Sequence, residues 1–524
     1  MRVRDWSDLV SGCNAAGVVG SEKVASRREF LKAVGMASAG AAWFGGAAPL
    51  EAVSGFAGGI ARAARGQAGA SGADYTLHIE ASAIEIAPKH IVSAVTYNGQ
   101  FPGPILRFKE GREVTIEIHN DTDTPEQLHW HGQMVSTDVD GSAEEGTPYI
   151  PAHGMRRITF TPRPAGLRFY HTHNRAGADL HAGQYGGQVG AVYIEPKDEP
   201  GRHDREVFLV LKEFEPSFSK GGDMAQDFLM PATTVKELNE AGESAMKASL
   251  GKGMPHGYEV GYQYFSINGR MLGHGEPVRV KNGEHVLFHI VNGSATEIRS
   301  LALPGHVFRV IALDGNPVPR PAEVPVLWLG PAERVSAIVE MKQPGVWILG
   351  DLADDDRQHG MGIVVEYAGQ KGKPVWTPPK PFRWSYARFG QASGKAQEPD
   401  ETIDMTFTKR NAAEQGFNQW AINDVVFSHE AMAAAYHLRE GKRYRLRMRN
   451  ASDDVHPIHL HRHSFELTKL AGQATAGVMK DVVMVGGYQE AEVDFTADNP
   501  GLTLFHCHQQ LHMDFGFMTL FDYV

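Results

Sequence analysis

Cysteine is the scarcest residue type in this sequence. Only two cysteines, Cys13 and Cys507, occur among 524 residues, so a framework of several disulfides is excluded. Cys13 lies in an N-terminal segment that we expect to be removed, and the mature chain would then keep a single thiol, Cys507. Histidine is abundant by contrast, with 25 residues, and its spacing holds most of the functional information.

An excess of positive charge is also missing. The formal net charge is −11, and no basic patch suited to a phosphate backbone stands out. We therefore expect no nucleic-acid partner. The hydrophobic share of 42% is that of an ordinary globular protein, and the length is typical of about three domains.

Long hydrophobic runs are absent as well. The stretch from Ala33 to about Gly59 is only weakly apolar and contains Pro49 and Glu51, so we expect no stable membrane anchor. The segment before it, Ser26-Arg-Arg-Glu-Phe-Leu-Lys32, resembles the twin-arginine export signal. The alternative is a disordered basic tail, but the ordered succession of signal regions favours export.

This resemblance predicts a signal peptide and leader over residues 1–73, with a small-residue cleavage site at Ala68-Gly69-Ala70. The twin-arginine translocase would be a partner during export. The mature protein would be periplasmic or extracellular.

Sustained helical periodicity is lacking after residue 75, apart from two short pieces. Segments such as Val114–His119 and Tyr444–Arg449 instead alternate apolar and polar residues, as strands with one buried face do. The 58 glycines and 29 prolines suit many strands joined by tight turns. The sequence therefore predicts an all-β fold of antiparallel sheets packed as sandwiches.

An internal repeat divides the chain. Three segments, 111–120, 283–292 and 441–450, each begin with a Gly turn, continue as an alternating strand and end in Asn. The first and third lead into paired histidines, whereas the second leads only to His306. The middle copy is therefore interpreted as a domain that kept the scaffold without the chemistry.

The repeat predicts three domains over residues 74–200, 201–370 and 371–524. An insertion at about 215–262 interrupts the middle domain and includes a candidate helix over Val235–Leu250. The last domain follows a linker rich in Lys and Pro.

Four histidine motifs are the main chemical signal: His129-Trp-His131, His171-Thr-His173, His456-Pro-Ile-His459-Leu-His461, and His506-Cys507-His508 with His512. Residues i and i+2 of a strand point to the same face, so each His-x-His pair can direct two imidazoles at one place. One His-x-His motif alone is weak support for a metal site, but four such motifs in one chain are strong support. One thiolate with two imidazoles is typical of blue copper, whereas structural zinc prefers several cysteines.

The order of these motifs resembles that of the three-domain multicopper oxidases, the family of laccases and bacterial copper efflux oxidases. The segment Tyr97–Leu106 resembles an early signature of the family. The resemblance covers about residues 75–524 and implies three cupredoxin-like Greek-key β-sandwich domains. It also implies an oxidase that takes single electrons from a reductant and reduces O2 to water with four copper ions, one type 1, one type 2 and a type 3 pair.

Residue roles follow from the same resemblance. His456, Cys507 and His512 would bind the type 1 copper, and His129 and His459 the type 2 copper. The type 3 pair would be held by six further histidines: His131, His171, His173, His461, His506 and His508.

Several positions depart from the family pattern. Phe517 stands at the axial position of the type 1 site, where many bacterial relatives have Met, so the copper would be three-coordinate and its potential raised. Met518 is an alternative ligand if the loop shifts. Arg462 replaces a usual Gly beside His461.

The proton donor is also in question, because Leu511 and Met513 stand where bacterial relatives often place carboxylates. Asp140 matches an acidic residue that orients water in relatives, and Asp514 is a second candidate for a proton relay.

Four functions remain open. A laccase-like oxidase of phenols or other small organic reductants is favoured, and it would need an open, partly apolar pocket beside His456 or His512. The alternative is a metallo-oxidase of Cu(I), Fe(II) or Mn(II). A copper-free envelope-assembly protein and a copper nitrite reductase fit the histidine pairs poorly. We expect a monomer.

Overall fold

The computed structural model describes residues 72–197, 201–219, 257–391 and 396–524. The predicted export signal and the candidate helix Val235–Leu250 lie outside these residues. Nearly all regular structure in the described part is strand, so the all-β prediction is confirmed. None of the described helices is long and apolar enough to cross a membrane.

The first pair of sheets is built from residues 75–195. One sheet has the strand order β2-β1-β4-β5 and the other β3-β7-β6. A short helix, α1 (Thr137–Asp140), lies between β4 and β5. The strands are β1 (Tyr75–Ala87), β2 (His90–Tyr97), β3 (Gly103–Lys109), β4 (Val114–Asn120), β5 (Met155–Phe160), β6 (Gly166–His171) and β7 (Val189–Glu195).

The second pair spans residues 205–367. Its sheets have the orders β14-β13-β16-β11-β8-β9 and β10-β18-β17-β12-β15. The helix α2 (Asp354–Gln358) precedes the last strand. The strands are β8 (Arg205–Ser219), β9 (Glu259–Ile267), β10 (Val278–Val280), β11 (His285–Asn292), β12 (Arg299–Ala302), β13 (Phe308–Leu313), β14 (Asn316–Val324), β15 (Val326–Leu329), β16 (Arg334–Glu340), β17 (Val346–Asp351) and β18 (Gly362–Tyr367).

The third pair spans residues 401–523, with the orders β20-β19-β22-β27-β24-β25 and β21-β29-β28-β23-β26. The helix α3 (Gln510–Asp514) follows the cysteine-bearing strand. The strands are β19 (Glu401–Glu414), β20 (Phe417–Ile422), β21 (Tyr436–Leu438), β22 (Arg443–Asn450), β23 (His456–Leu460), β24 (Phe465–Leu470), β25 (Gln473–Lys480), β26 (Val482–Val485), β27 (Glu490–Thr496), β28 (Thr503–Cys507) and β29 (Met518–Tyr523).

The three repeated segments form β4, β11 and β22, and these strands occupy equivalent places. Each pairs parallel with the long first strand of its own sheet and antiparallel with a later strand. Each sheet pair lies within one predicted domain range, although the boundaries themselves stay a prediction.

The asparagine that ends each repeat has a structural task. The amide of Asn450 donates to the carbonyl oxygens of Asp454 at 2.7 Å and Gly486 at 3.0 Å, and its side-chain oxygen accepts the N–H of Ser452. Asn120 and Asn292 make equivalent bonds in their own loops. Because buried backbone groups need partners, one asparagine fixes the loop that leads into the next strand, and in the third sheet pair that strand carries His456.

Candidate metal centre

Strand pairing brings the histidine motifs together. In the third sheet pair, β23 and β28 run antiparallel with His459 opposite His506 and Ile458 opposite Cys507. In the first, His129 and His171 face each other across an isolated bridge. Because alternate residues share a face, each motif directs two imidazoles into the space between these two sheet pairs.

Eight imidazoles surround that space. They fall into three groups of three whose ligand atoms lie within 4.8 Å of one another, with His131 shared by two groups: His129, His131 and His459; His131, His171 and His508; His173, His461 and His506. All eight side chains are buried. The shortest approaches between rings are 3.0 Å from His461 Nε2 to His506 Nε2 and 3.3 Å from His131 Nδ1 to His171 Nε2.

A fourth group contains the only described thiol. Cys507 Sγ lies 3.4 Å from His512 Nδ1 and 3.7 Å from His456 Nδ1. The Phe517 ring packs on the His456 ring with centroids 4.6 Å apart. Met518, the alternative ligand, points elsewhere and belongs to a cluster with Leu504, Met513 and Leu520.

In most of these rings, the nitrogen that points away from its group has a hydrogen-bond partner in the protein. His459 Nδ1 lies 2.7 Å from the carbonyl oxygen of Asp481, and His506 Nδ1 lies 2.9 Å from that of Cys507. His456 Nε2 lies 2.9 Å from Ser452 Oγ. Such partners orient an imidazole so that its other nitrogen is free for a metal.

Asp140 serves two rings at once. Its Oδ2 lies 3.0 Å from His129 Nδ1 and 2.9 Å from His461 Nδ1. Burial alone would raise the pKa of this carboxyl, but His129 and Arg462 outweigh burial and lower it. Burial and the charge of Asp140 raise the pKa of the neighbouring Glu145 well above its usual range.

The middle sheet pair contributes Arg334, which binds Asp481, a carboxylate of the third sheet pair that the sequence analysis did not identify. This buried carboxylate receives two hydrogen bonds from Arg334, at 2.5 and 2.6 Å, and one from Arg168 at 3.3 Å. Its Oδ1 also lies 3.2 Å from His131 Nε2. Arg168, Arg334 and Asp481 belong to the first, second and third sheet pairs. The Asp481 carboxylate therefore connects all three sheet pairs to the imidazole groups. The one sequence signal is that Asp481 stands beside an apolar run.

Glu144 is a second carboxylate that sequence analysis missed. Its Oε2 lies 3.5 Å from His173 Nδ1, and its Oε1 lies 3.5 Å from Nδ1 of His429, a partly exposed residue. A carboxylate therefore stands between the imidazole groups and the surface on this side.

Asp514 occupies a different environment. Its carboxylate accepts the backbone N–H groups of Gly177 and Ala176 at 2.7 and 2.9 Å and the amide of Gln510 at 2.9 Å. Burial raises its pKa to about 6. These contacts fasten α3 to a loop of the first sheet pair, and none of them joins Asp514 to an imidazole.

The cysteine group is covered on its outer side. His456 and His512 are both fully buried, and the Trp420 ring stacks on His512 with centroids 4.0 Å apart. The Trp420 N–H donates to Asp454 at 2.9 Å. The open pocket expected beside these histidines is therefore not formed by the described residues.

The donor set fits copper. Burial, with neighbouring charges at most of the sites, holds the pKa of eight of these histidines well below the usual range, so their rings are neutral and able to bind a metal. His129 Nε2, His459 Nε2 and His512 Nε2 are buried and find no hydrogen-bond partner among the described residues. An unpaired buried nitrogen costs about 1–3 kcal/mol, a cost that a metal would remove at the first two. Imidazoles with one thiolate favour copper over hard cations.

Three family models for multicopper oxidases match this chain, over residues 78–199, 233–364 and 397–524. The chain belongs to the multicopper oxidases. The predicted resemblance is thereby confirmed, and with it an oxidoreductase that uses O2 and depends on copper.

Two curated relatives of this multicopper oxidase illustrate the range of the family. The multicopper oxidase MmcO of Mycobacterium tuberculosis is 29% identical over 450 residues, which cover 83% of this chain and 84% of the relative. Laccase-2 of Fomitopsis schrenkii is 24% identical over 81% of this chain and 84% of its own length.

Among solved structures, Fet3p, described as a multicopper oxidase that functions in iron import, superposes with a TM-score of 0.68. The match covers 86% of this chain and 90% of Fet3p at 17% identity. This likeness concerns the fold, and it agrees with the prediction of cupredoxin-like β-sandwiches.

Proposed function

We propose that this multicopper oxidase couples the one-electron oxidation of a small organic reductant, such as a phenol, to the four-electron reduction of O2 to water. The observation that carries the proposal is the spatial grouping of the histidines: one group with a thiolate and, beside it, eight further imidazoles around one space. One thiolate site suits single-electron uptake, whereas the larger group suits O2 chemistry.

The grouping supports a specific assignment of four coppers. His456, Cys507 and His512 would bind a type 1 copper, with Phe517 as a non-ligating axial neighbour, and His129 and His459 a type 2 copper. One type 3 copper would be held by His131, His171 and His508, and the other by His173, His461 and His506. Bound copper supplies the redox chemistry, and the protein fixes its geometry and access.

The chain joins the two centres covalently. Cys507 stands between His506 and His508, which belong to the two different type 3 groups. The connection from Cys507 to either group is therefore a single peptide link to the neighbouring residue. This arrangement suits rapid movement of electrons from the type 1 site to the O2 site.

Protons must reach the O2 site as well, four for each O2. Asp140 is the best placed carboxylate, because its Oδ2 contacts two of the proposed ligand imidazoles, those of His129 and His461. We assign the proton relay to Asp140. Asp514 is a structural anchor in this proposal, since its hydrogen bonds hold a loop.

Oxidation of a metal ion is the second candidate, because two carboxylates, Asp453 and Asp454, lie near the proposed type 1 group. Asp454 accepts the N–H of Trp420 at 2.9 Å, and Trp420 stacks on His512. Lys409 contacts both of these carboxylates, with Nζ 2.7 Å from Asp454. A cation substrate would have to displace this lysine, and an organic reductant would not. The lysine therefore disfavours a cation substrate, although the described residues form no open pocket beside His456 or His512 for an organic one.

Export completes the proposal. The segment at residues 26–32 favours the twin-arginine pathway and a periplasmic or extracellular location. We propose a monomer, as expected for a chain with three such domains.

The test is an absorption spectrum of the copper-loaded mature protein, combined with O2 uptake on a phenol and on Cu(I). Intense blue absorption with a near-ultraviolet shoulder and faster uptake with the phenol would support the proposal. Faster uptake with Cu(I) would favour the metallo-oxidase. A colourless protein that consumes no O2 would contradict both.

A further inference from the structure

Arg462 directly follows His461 and has a backbone conformation that is unusual for a residue with a side chain. Its φ of 59° lies in the left-handed region, which glycine adopts freely and other residues adopt at a cost of about 1 kcal/mol or more. The side chain is nevertheless 1% exposed and fully engaged. The contacts of the Arg462 side chain therefore offset the strain of its backbone.

The guanidinium group makes five hydrogen bonds, one for each of its N–H groups. Nε donates to the carbonyl oxygen of Val135 at 3.0 Å. Nη1 donates to the carbonyl oxygen of Leu502 at 2.6 Å and to Thr503 Oγ1 at 3.3 Å. Nη2 donates to the carbonyl oxygens of Asn499 at 2.7 Å and Pro500 at 2.8 Å. A fixed planar fork of five donors is a property of arginine alone.

These acceptors lie on both sides of the proposed O2 site. Val135 belongs to the segment that runs from His131 to Asp140 in the first sheet pair. Residues 499–503 lead directly into β28, which carries His506 and Cys507. Arg462 itself follows His461, so one side chain connects three segments that each bear residues of the site.

Two further contacts show that the local structure is built around this side chain. Asn499 Nδ2 donates to the Val135 carbonyl oxygen at 2.9 Å and to that of Arg462 at 3.0 Å. Gly501 has a φ of 121°, and a Cβ there would lie 3.3 and 3.4 Å from Nη1 and Nη2 of Arg462 and 2.7 Å from Thr137 Cγ2. The missing side chain at position 501 therefore leaves room for the guanidinium against α1.

We propose that Arg462 is a positioning residue that clamps the 132–140 segment to the 499–503 loop. The clamp holds the two halves of the O2 site, the eight imidazoles proposed to bind the type 2 and type 3 coppers, at a fixed separation. This inference rests on the proposed assignment of the copper ligands. Glycine at this position would supply none of the five bonds.

The test compares the copper-loaded parent with R462G, R462K and a matched control, R357A. R462G relieves the backbone strain, so it is expected to fold. R462K keeps the charge but not the planar fork. Arg357 is also buried and bonded to backbone carbonyls, yet it lies in α2 beside Asp351, far along the chain from every histidine group.

Four quantities are measured for each protein: blue absorption, near-ultraviolet absorption, the rate of copper release to a chelator, and amide hydrogen exchange of the 499–503 loop in the copper-free protein. For R462G we expect unchanged blue absorption, a weaker near-ultraviolet band, copper release about 10- to 100-fold faster, and faster exchange in the loop. R462K should follow R462G. R357A should lower thermal stability alone.

Parental copper release and parental loop exchange in R462G would overturn the clamp, and so would full rescue by R462K, since the planar fork would then be dispensable. A parent that binds no copper would instead contradict the proposed function. The hydrogen-exchange comparison does not depend on copper and separates these two failures.

Discussion

The carboxylate of Asp481 lies 3.2 Å from Nε2 of His131, although 350 residues separate the two in the chain. The backbone carbonyl of the same aspartate accepts from His459 Nδ1 at 2.7 Å. One residue therefore orients one imidazole from each half of the site. Arg334, from the sheet pair without histidine groups, holds that residue in place with two hydrogen bonds.

Replacing Asp481 by Asn should loosen the copper cluster. His131 loses its charged acceptor, and two buried guanidinium groups lose one of the carboxylates that pair with them. Partners of this kind typically contribute about 10- to 100-fold to metal affinity, so D481N should retain fewer coppers after dialysis against a chelator while keeping its blue absorption. Copper per chain and blue absorption are the measurements. D404N is the control, since Asp404 is exposed and pairs only at the surface; equal copper content in the two variants would argue against this role.

Replacing Phe517 by Met should lower the type 1 potential. Phe517 packs on His456 and offers no donor atom, whereas a thioether donor stabilises Cu(II) relative to Cu(I). For this one-electron couple, a tenfold change in relative affinity corresponds to about 59 mV. The midpoint is read from the blue absorption during a redox titration. F521M, a change in the same core without contact to the group, should leave the midpoint alone, and an unchanged midpoint in F517M would show that the sulfur does not reach the copper.

Glu126 predicts a pH dependence of stability. Burial raises its pKa to about 7 from an ordinary 4.5, so the folded state prefers the protonated form. Below pH 4.5 Glu126 is protonated in both the folded and the unfolded state, so it does not change the free energy of unfolding. As pH rises to about 7 the unfolded state ionises first, and the folded protein is destabilised by an amount on the order of 3 kcal/mol. E126Q should therefore be more stable than the parent above pH 7 and equally stable near pH 4.5. Denaturant unfolding of the copper-free protein at both pH values is the check, and a difference that does not vary with pH would refute the assignment.

The asparagines that end the repeats offer a matched pair of variants. N292A and N450A each remove one buried amide with equivalent bonds. Each should destabilise the protein by about 1–3 kcal/mol or more, because buried carbonyl oxygens lose their donor. Only N450A should alter the blue absorption, since its loop carries Ser452, which contacts His456. Thermal unfolding and the visible spectrum are compared; a spectral change in N292A would contradict a purely local role.

The periodicity of the sequence was enough to predict strands, and the repeated Gly turns and terminal asparagines predicted three related sheet pairs. His-x-His spacing likewise predicted which imidazoles share a face, because the period of a strand is fixed by its geometry. These inferences are local, and local geometry follows from a few neighbouring residues.

The residues that serve the histidines could not be found this way. Asp481 and Arg334 meet through tertiary packing, and Glu144 reaches His173 from a short loop helix. Apart from the apolar run beside Asp481, nothing in their own sequence neighbourhoods separates them from ordinary surface charges. The expected opening beside His456 and His512 was also not found, because the Trp420 stack and the Ser452 contact follow from the packing of β20 and a loop.

The wide separation of the histidine motifs also determines the order in which the enzyme can be made. The motifs at residues 129–173 leave the ribosome long before those at residues 456–512, and domains generally fold as they emerge. An incomplete chain therefore carries four of the eight grouped imidazoles before the other four are made. The complete set of imidazoles is therefore assembled only when β28 pairs with β23 and the third sheet pair meets the first.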